Sequence, residues 1–155
     1  NIGFSFHGGK GQFVKLIDAY NWDFCQIQYN FLDENNQAGT SGLKYAASKG
    51  IPVIVMEPLR GGKIVNNLPK EVNNIWNSSE KKRSPAEWAL RWVWNHPEVK
   101  VVLSGMGTME QLAENIVTAS GAEANALKPS ELELFENVKR VLKEKTKVDC
   151  TGCSY

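Results

Sequence analysis

Short apolar runs alternate along the chain with segments of helical periodicity. The apolar runs are typical of strands, whereas the segments between them repeat apolar side chains every three or four positions, as on one face of a helix. The predicted strands cover residues 2–6, 23–29, 52–56 and 99–104. The predicted helices cover residues 12–20, 43–48, a stretch around 71–76, a segment from 84 to 96, a segment from 108 through 116, and 130–145.

Two helix starts are marked by capping residues. Ser84 is followed by Pro85 in the first turn and by Glu87 at the third helical position, a combination typical of a helix N-terminus. Thr108 is predicted to cap the next helix, because its hydroxyl can accept a hydrogen bond from a backbone N–H. Gly50 closes the helix that precedes the third strand, as glycine commonly does.

Strands that alternate with helices indicate parallel β/α units and hence an α/β fold. The strands are apolar with little alternation, which predicts that both faces of the sheet are covered. Two architectures fit this order: an open doubly wound sheet, and part of an eight-stranded (β/α)8 TIM barrel. The glycine-rich stretch 8–11 does not favour the first, because it has neither the dinucleotide-binding nor the Walker spacing.

Polar residues at the strand ends favour the barrel. They lie toward the C-terminal ends of the predicted strands or just beyond them, where a β/α barrel builds its active site. These residues are Ser5, His7, Gln26, Gln28, Glu57 and Ser104. The sequence therefore predicts a ligand site at the C-terminal rim of a barrel-type sheet.

Composition restricts the classes of partner. The 155 residues carry a net charge of +1, with 42% hydrophobic and 23% charged residues, as in an ordinary globular domain. A chain so nearly neutral has no overall field that attracts nucleic acid or an anionic membrane. No apolar stretch approaches the ~18–20 residues of a membrane helix, and three cysteines do not form a disulfide framework. We therefore expect no nucleic-acid or membrane partner and a cytoplasmic location.

Several polar side chains have both a structural and a functional interpretation. Gln26 and Gln28 share one face of a strand, where a buried amide must bond either the sheet's own groups or a ligand. Ser5 could satisfy a strand-end backbone group or contact a ligand, and His7 could be a general acid or a solvated side chain. His96 and the helical tryptophans are predicted to be structural. The sequence shows no recognisable catalytic triad or metal-ligating cluster.

Four blocks follow one another in an order that resembles the aldo-keto reductase family. They are IGFSFH at 2–7, CQIQYN at 25–30, VMEPLRGG at 55–62 and SGMGTMEQLAEN at 104–115. The similarity is to the branch of the family that carries a C-terminal ferredoxin-type (4Fe-4S) extension. Family members are (β/α)8 barrels that reduce carbonyls with NADPH.

The resemblance implies a domain organisation. Residues 1–145 would form the C-terminal half of the barrel, strands five to eight with their helices. Residues 146–155 would be a tail that leads to a truncated ferredoxin-like extension. The chain opens directly in a strand, at Asn1 rather than Met, so we expect that it is a fragment of a longer reductase.

The resemblance also implies a set of cofactor-binding residues. Ser5 and Gln26 match the serine and glutamine that bond the nicotinamide carboxamide, and Met56 stands where many members have a tyrosine stacked on the ring. A hydroxyl and an amide can hold a carboxamide in one orientation, which directs hydride transfer. The residues that match the pyrophosphate loop are Pro58, Leu59 and Gly61, and those that match the adenosine end are Gly105, Met106, Thr108, Gln111, Glu114 and Asn115.

Two departures from the family pattern bear on activity. Many NADPH-dependent members have a Lys and an Arg beside the 2′-phosphate where this chain has Gly105 and Gln111, so the cofactor is NADP or NAD. The family's catalytic tetrad of Asp, Tyr, Lys and His lies on the first four strands, upstream of this chain. The resemblance therefore implies an NAD(P)H-dependent reductase of small-molecule carbonyls in the parent protein and no turnover by this chain alone.

The last residues include Cys150 and Cys153. Related members continue this C-x-x-C into further cysteines that hold a 4Fe-4S cluster, which normally takes four thiolates. We therefore expect these two residues to be cluster ligands only in an intact parent protein. Alternative functions stay open: a non-catalytic half-barrel that binds a dinucleotide, a homodimer formed through open sheet edges, and an electron carrier.

Overall fold

The computed structural model describes residues 1–145 of the chain, in which four parallel strands form one sheet. The strands are β1 (Gly3–Phe6), β2 (Phe24–Gln28), β3 (Val53–Met56) and β4 (Val99–Val102). The helices are α1 (Lys10–Asp18), α2 (Gly39–Ser48), α3 (Lys70–Asn77), α4 (Pro85–Trp94), α5 (Met109–Ser120) and α6 (Pro129–Lys145), and a 3₁₀ turn spans Arg60–Gly62.

The strand order decides between the two predicted architectures. Each strand lies beside its successor, in the order β1-β2-β3-β4, and every neighbouring pair is parallel. Right-handed crossovers between sequential neighbours place all the connecting helices on one face of a sheet. A doubly wound sheet instead reverses its strand order at a switch point. The fold is therefore consistent with part of a TIM barrel, and the doubly wound alternative is wrong.

The two faces of the sheet differ in burial. The register aligns Ser5 with Gln26, Gln26 with Ile54, and Ile54 with Val101, so these four side chains share one face. On that face Ser5 is exposed and Val101 is 44% exposed. On the other face, Cys25 is completely buried under the helices. The prediction that both faces are covered is thus wrong within residues 1–145, where the helices cover one face.

An aromatic cluster fills the space between the helices. Trp76 stacks on Trp88 with 5.4 Å between the ring centroids, and Phe135 of α6 contacts the edges of both rings. Trp88 and Phe135 are completely buried. The prediction that the helical tryptophans are core residues is confirmed for Trp76, Trp88 and Trp92, whereas Trp94 is only partly buried.

The predicted caps are confirmed, while some helix boundaries differ from the prediction. Ser84 Oγ accepts from the backbone N–H of Glu87 at 3.0 Å, and Thr108 Oγ1 accepts from that of Gln111 at 3.3 Å. Helix α1 begins at Lys10 rather than at residue 12, and α2 begins at Gly39 rather than at residue 43. The first turn of α2 is Gly-Thr-Ser-Gly, which contains no apolar residue and so gives no periodic signal.

His96 joins α4 to the sheet and has the structural position that the sequence predicts. Its Nδ1 lies 3.0 Å from the carbonyl oxygen of Trp92, to which it donates. Its Nε2 can therefore accept from the hydroxyl of Tyr29, 3.2 Å away. Burial lowers the pKa of His96 and raises the pKa of Tyr29 to about 12, because both side chains are held away from water.

Candidate functional site

A cleft of about 520 Å³ opens beside the carboxyl ends of β3 and β4. One wall is the segment that follows β3, residues 57–62, here called the 57–62 loop. The other walls are residues 65–66, the 103–106 segment after β4, the start of α4 and the first two turns of α5. Eight of the twelve predicted cofactor-binding residues line it: Pro58, Leu59, Gly61, Gly105, Met106, Gln111, Glu114 and Asn115.

The other four predicted residues lie outside the lining of this cleft. Thr108 caps α5 and so fixes the start of a helix that reaches the cleft. Ser5, Gln26 and Met56 lie on the uncovered face of the sheet, where Ser5 and Gln26 are direct neighbours in the register. The structure thus groups the predicted residues into a cleft set and a sheet-face set.

The two glutamines of β2 differ in their contacts. Gln28 donates to Asp33 Oδ2 at 3.0 Å and accepts from Gln37 Nε2 at 3.0 Å, so its amide belongs to a protein network. Gln26 donates to Met56 Sδ at 3.3 Å. A thioether is a weak acceptor, so this contact uses little of the hydrogen-bonding capacity of the Gln26 amide. The structural interpretation therefore fits Gln28, and Gln26 has capacity for a ligand.

The 57–62 loop has an unusual backbone. Four of its residues have positive φ: Glu57 at 54°, Arg60 at 51°, Gly61 at 61° and Gly62 at 82°. The last two are glycines, for which this conformation is ordinary, but Glu57 and Arg60 adopt it at a cost of about 1 kcal/mol or more each. The turn is closed by backbone hydrogen bonds from Arg60 N to Glu57 O at 3.1 Å and from Gly62 N to Leu59 O at 2.9 Å.

The segment after β4 is fixed by side chains of α5. Gln111 Oε1 accepts from the backbone N–H of Gly107 at 2.8 Å, and Asn115 Nδ2 donates to Ser104 Oγ at 3.1 Å. Ser84, at the start of α4, donates from its hydroxyl to a carboxylate oxygen of Glu114. The N-terminus of α4 and the first two turns of α5 therefore meet at the cleft, and helix N-termini favour negatively charged ligand groups.

The charged side chains of the cleft are both acidic. Glu57 and Glu114 line it, and none of the described lining residues is a lysine, arginine or histidine. Backbone N–H groups and helix N-termini can hold a diphosphate without a basic side chain. A further phosphate monoester would lie near carboxylates with no cation to pair with.

A second depression of about 470 Å³ lies on the β1 side of the 57–62 loop. His7 lines it as an exposed side chain, together with Gln28, Arg60 and Lys63. The C-terminal rim that the sequence predicts is therefore present, since polar residues after β1, β2, β3 and β4 all lie at this end of the sheet. His7 has no hydrogen-bond partner among residues 1–145.

One ion pair at this rim has no signal in the sequence. Arg60 Nε lies 3.3 Å from Asp33 Oδ2, and the side chain of Asp33 is 7% exposed. Asp33 opens a polar stretch after the second strand, residues 33–36, whose composition is typical of a solvated turn. Nothing in that local pattern separates a buried carboxylate from a surface one.

Metal-ligating residues do not cluster in the part of the chain that the structure describes. Residues 1–145 contain no group of three His, Cys, Asp or Glu side chains placed to hold a metal ion. Cys25 is buried on the helix side of the sheet, where burial raises the pKa of its thiol to about 12. Cys150 and Cys153, the predicted cluster ligands, lie outside the described residues.

Within residues 1–145 no helix is both long and apolar enough to cross a membrane.

Comparison with known proteins identifies the family. The sequence model of the Aldo/keto reductase family matches residues 1–139. The holo form of aldo-keto reductase AKR11C1 from Bacillus halodurans superposes with a TM-score of 0.68 at 18% identity, over 88% of this chain and 49% of that one. Its apo form gives a TM-score of 0.65 at 18% identity, over 84% and 48%. At this identity the likeness shows the fold.

The chain spans about half the length of these two structures. No curated protein sequence matches it.

Proposed function

The chain belongs to the aldo/keto reductase family, and from that premise we propose that it is the dinucleotide-binding part of an NAD(P)H-dependent carbonyl reductase. One observation supports this most strongly. Eight residues matched to the family's cofactor contacts, from segments far apart in the sequence, line a single cleft. That cleft lies at the carboxyl ends of the strands, where β/α barrels bind their ligands.

The residues have distinct tasks in this proposal. The 57–62 loop binds the diphosphate through the backbone N–H groups of Leu59 and Gly61, beside Pro58, which has no N–H to donate. The α5 side of the cleft binds the adenosine end. Ser5 and Gln26 orient the nicotinamide carboxamide beside Met56, whose thioether can pack against a ring. When bound, the reduced nicotinamide supplies a hydride to the carbonyl carbon of a small-molecule substrate.

The chain alone is proposed to have no turnover, because no tyrosine among residues 1–145 is suited to donate the proton. The hydroxyl of Tyr29 is buried and bonded to Thr40 and His96, with a pKa of about 12. Tyr45 donates to Asp18 at 2.7 Å, on the helix side of the molecule. Tyr20 lies between α1 and β2, at the amino end of the strands and so at the opposite end of the sheet from the cleft. We propose that the tetrad tyrosine lies on strands that precede β1 in a complete barrel, in which β1 to β4 are strands five to eight.

The charges of the cleft favour NADH over NADPH. Glu57 and Glu114 line it without a basic side chain, and a dianionic 2′-phosphate held beside carboxylates is destabilised. The diphosphate of either cofactor has backbone N–H groups to bind, so the two acidic residues act mainly against the additional phosphate. We therefore propose NADH as the preferred cofactor of the parent enzyme.

The cluster extension and the location stay predictions. Cys150 and Cys153 provide two thiolates, and a 4Fe-4S cluster normally takes four, so a cluster would need cysteines beyond these two. Iron and acid-labile sulfide would be found in the full-length parent protein and not in this chain. A parent protein without iron would contradict the proposed extension, and a parent that fractionates outside the cytoplasm would contradict the predicted location.

A second candidate function is self-association, and the uncovered sheet face favours it. Val101 and Leu103 on that face are each 44% exposed, and β1 and β4 each have one unpaired edge within residues 1–145. A second copy of the chain could extend the parallel sheet from either edge. Light scattering coupled to size exclusion would give a dimer mass for this candidate and a monomer mass against it.

Nucleotide titration tests the main proposal. The chain is titrated with NADH and with NADPH in a calorimeter, and circular dichroism confirms that it is folded. We expect saturable binding of NADH and weaker binding of NADPH. A folded chain that binds neither nucleotide would overturn the proposal, and a preference for NADPH would overturn the assignment of NADH.

A further inference from the structure

Asp33 is a buried carboxylate in the loop after β2, and only 6% of its surface is exposed. Its Oδ2 atom has three partners: Gln28 Nε2 at 3.0 Å, Asn30 Nδ2 at 2.9 Å and Arg60 Nε at 3.3 Å. A carboxylate in such a position is stable only while it is paired with a cation and accepts hydrogen bonds. The partners of Asp33 are therefore fixed relative to one another.

Two of these contacts attach the 57–62 loop to Asp33. Arg60 pairs with the carboxylate directly. Asn30 Nδ2 also donates to the backbone oxygen of Glu57 at 3.1 Å, so one amide joins Asp33 to the start of the loop. Glu57 and Arg60 are the two non-glycine residues of the loop with positive φ, at 54° and 51°. Such conformations persist where surrounding contacts determine them, and here both strained residues are tied to the same carboxylate.

We propose that Asp33 is a positioning residue for the candidate site. Asp33 acts through Arg60 and Asn30 to hold the 57–62 loop in the conformation that lines the cleft. The proposal rests on the proposed function, in which this loop binds the diphosphate of a dinucleotide. Asp33 and Arg60 do not themselves line the cleft, whereas Pro58, Leu59 and Gly61 do. The effect of Asp33 and Arg60 on a diphosphate ligand is therefore indirect.

Amide hydrogen exchange on the ligand-free chain tests the positioning directly. The variants are Asp33→Asn, which removes the charge but keeps the shape, and Arg60→Gln, which removes the cation. The matched control is Lys63→Gln, which removes an exposed positive charge just after the loop. We expect the backbone amides of residues 60 and 62 to exchange about tenfold faster or more in both variants. The β2 amides should stay protected in both, and the exchange rates of the loop should be unchanged in the Lys63→Gln control. Unchanged loop rates in both variants would overturn the proposal.

A ligand series separates positioning from a general loss of structure. ADP contains the diphosphate that the loop is proposed to bind, and adenosine does not. In Asp33→Asn we expect the Kd for ADP to rise about tenfold, while the Kd for adenosine stays the same. An equal loss of both affinities would show a general structural effect and overturn the proposal.

The same experiments distinguish a failure of dinucleotide binding from a failure of the positioning role of Asp33. If the unmodified chain binds no ADP, the proposed function fails, and the exchange rates of the 57–62 loop still decide whether Asp33 positions it. If Arg60→Gln does not fold, because Asp33 is left buried without its cation, Asp33→Asn decides the exchange test alone.

Discussion

The Nε2 of Gln26 lies 3.3 Å from the Sδ of Met56, across the β2–β3 pair. Within residues 1–145 this is the one side-chain hydrogen bond of Gln26, and its acceptor is a sulfur. Gln28, two residues along the same strand, is instead bonded on both sides by Asp33 and Gln37. The pair Gln26 and Met56 therefore forms a place on the uncovered sheet face where an amide and a polarisable side chain can contact a planar, polar ring.

Replacing Gln26 with leucine is expected to weaken NADH binding about five- to tenfold, because one amide contact of ordinary strength is lost. Binding of AMP, which lacks the nicotinamide, should be unaffected. Calorimetric titration of both ligands measures the difference. Gln12→Leu, at an exposed position of α1, is the control and should bind both ligands normally. Equal losses for NADH and AMP would contradict the role of Gln26.

Replacing Glu114 with glutamine is expected to improve NADPH binding relative to NADH about threefold or more, because one carboxylate near the proposed 2′-phosphate position is removed. The glutamine can still accept from Ser84 Oγ, so the contact between α4 and α5 is kept. The measured quantity is the ratio of the two Kd values. Glu133→Gln, an exposed change on α6 outside the cleft, should leave the ratio as it is. A ratio unchanged in Glu114→Gln would contradict the electrostatic argument.

His96 is expected to make stability depend on pH in mildly acidic solution. Burial holds its pKa below the ordinary value of 6.5, so the unfolded chain binds the proton more readily. The neutral His96 side chain therefore contributes fully to the free energy of unfolding above about pH 6.5. This contribution is lost, and the folded chain becomes less stable, as the pH falls through the lower pKa that His96 has in the fold.

Urea unfolding at several pH values between 7.5 and 5 measures this dependence. That range lies above 4.5, the ordinary pKa of a glutamate side chain. A hydrogen bond from Lys145 lowers the pKa of Glu71 in the fold and a backbone hydrogen bond lowers the pKa of Glu110, so these two groups would add a separate loss of stability only at lower pH. His96→Gln should flatten the dependence, while His7→Gln, at an exposed position, should keep it. Identical slopes in the unmodified chain and His96→Gln would contradict the assignment.

Much of the fold could be predicted because its signals are local. The strands, the caps at Ser84 and Thr108, and the helical tryptophans each depend on residues within one or two turns of each other. Helix α2 was predicted too short, since the four residues that open it are weak helix formers. The side chains that crowd this turn come from outside it: an added Cβ at Gly42 would lie 2.8 Å from the Cβ of Ala38 and 3.0 Å from the ring of Phe13 in α1.

The candidate site was predicted less completely, for a physical reason. Resemblance to a family supplies residues that contact a cofactor, and eight of those lie together in the cleft. The residues that hold the 57–62 loop are not contacts of the ligand and form no motif. Asp33 and Arg60 meet only in the folded chain, so no pattern in the sequence links them. The uncovered sheet face was also not predictable, because apolar strands have the same composition whether or not a second layer covers them.

Dinucleotide binding in the cleft between the 57–62 loop and α5 is tested by a matched pair of tryptophan substitutions. Gly105 lines the cleft, and a Cβ added there would have no atom within 4 Å, so Gly105→Trp introduces a large side chain at the cleft without a clash at its Cβ. Circular dichroism confirms that the variant is folded. Gly11, exposed on α1, has the same open surroundings and gives the control Gly11→Trp. The measurement is the Kd for NADH of both variants. We expect the affinity for NADH to fall tenfold or more in Gly105→Trp and to stay the same in Gly11→Trp. Equal NADH affinity in the two variants would show that the dinucleotide does not bind in this cleft.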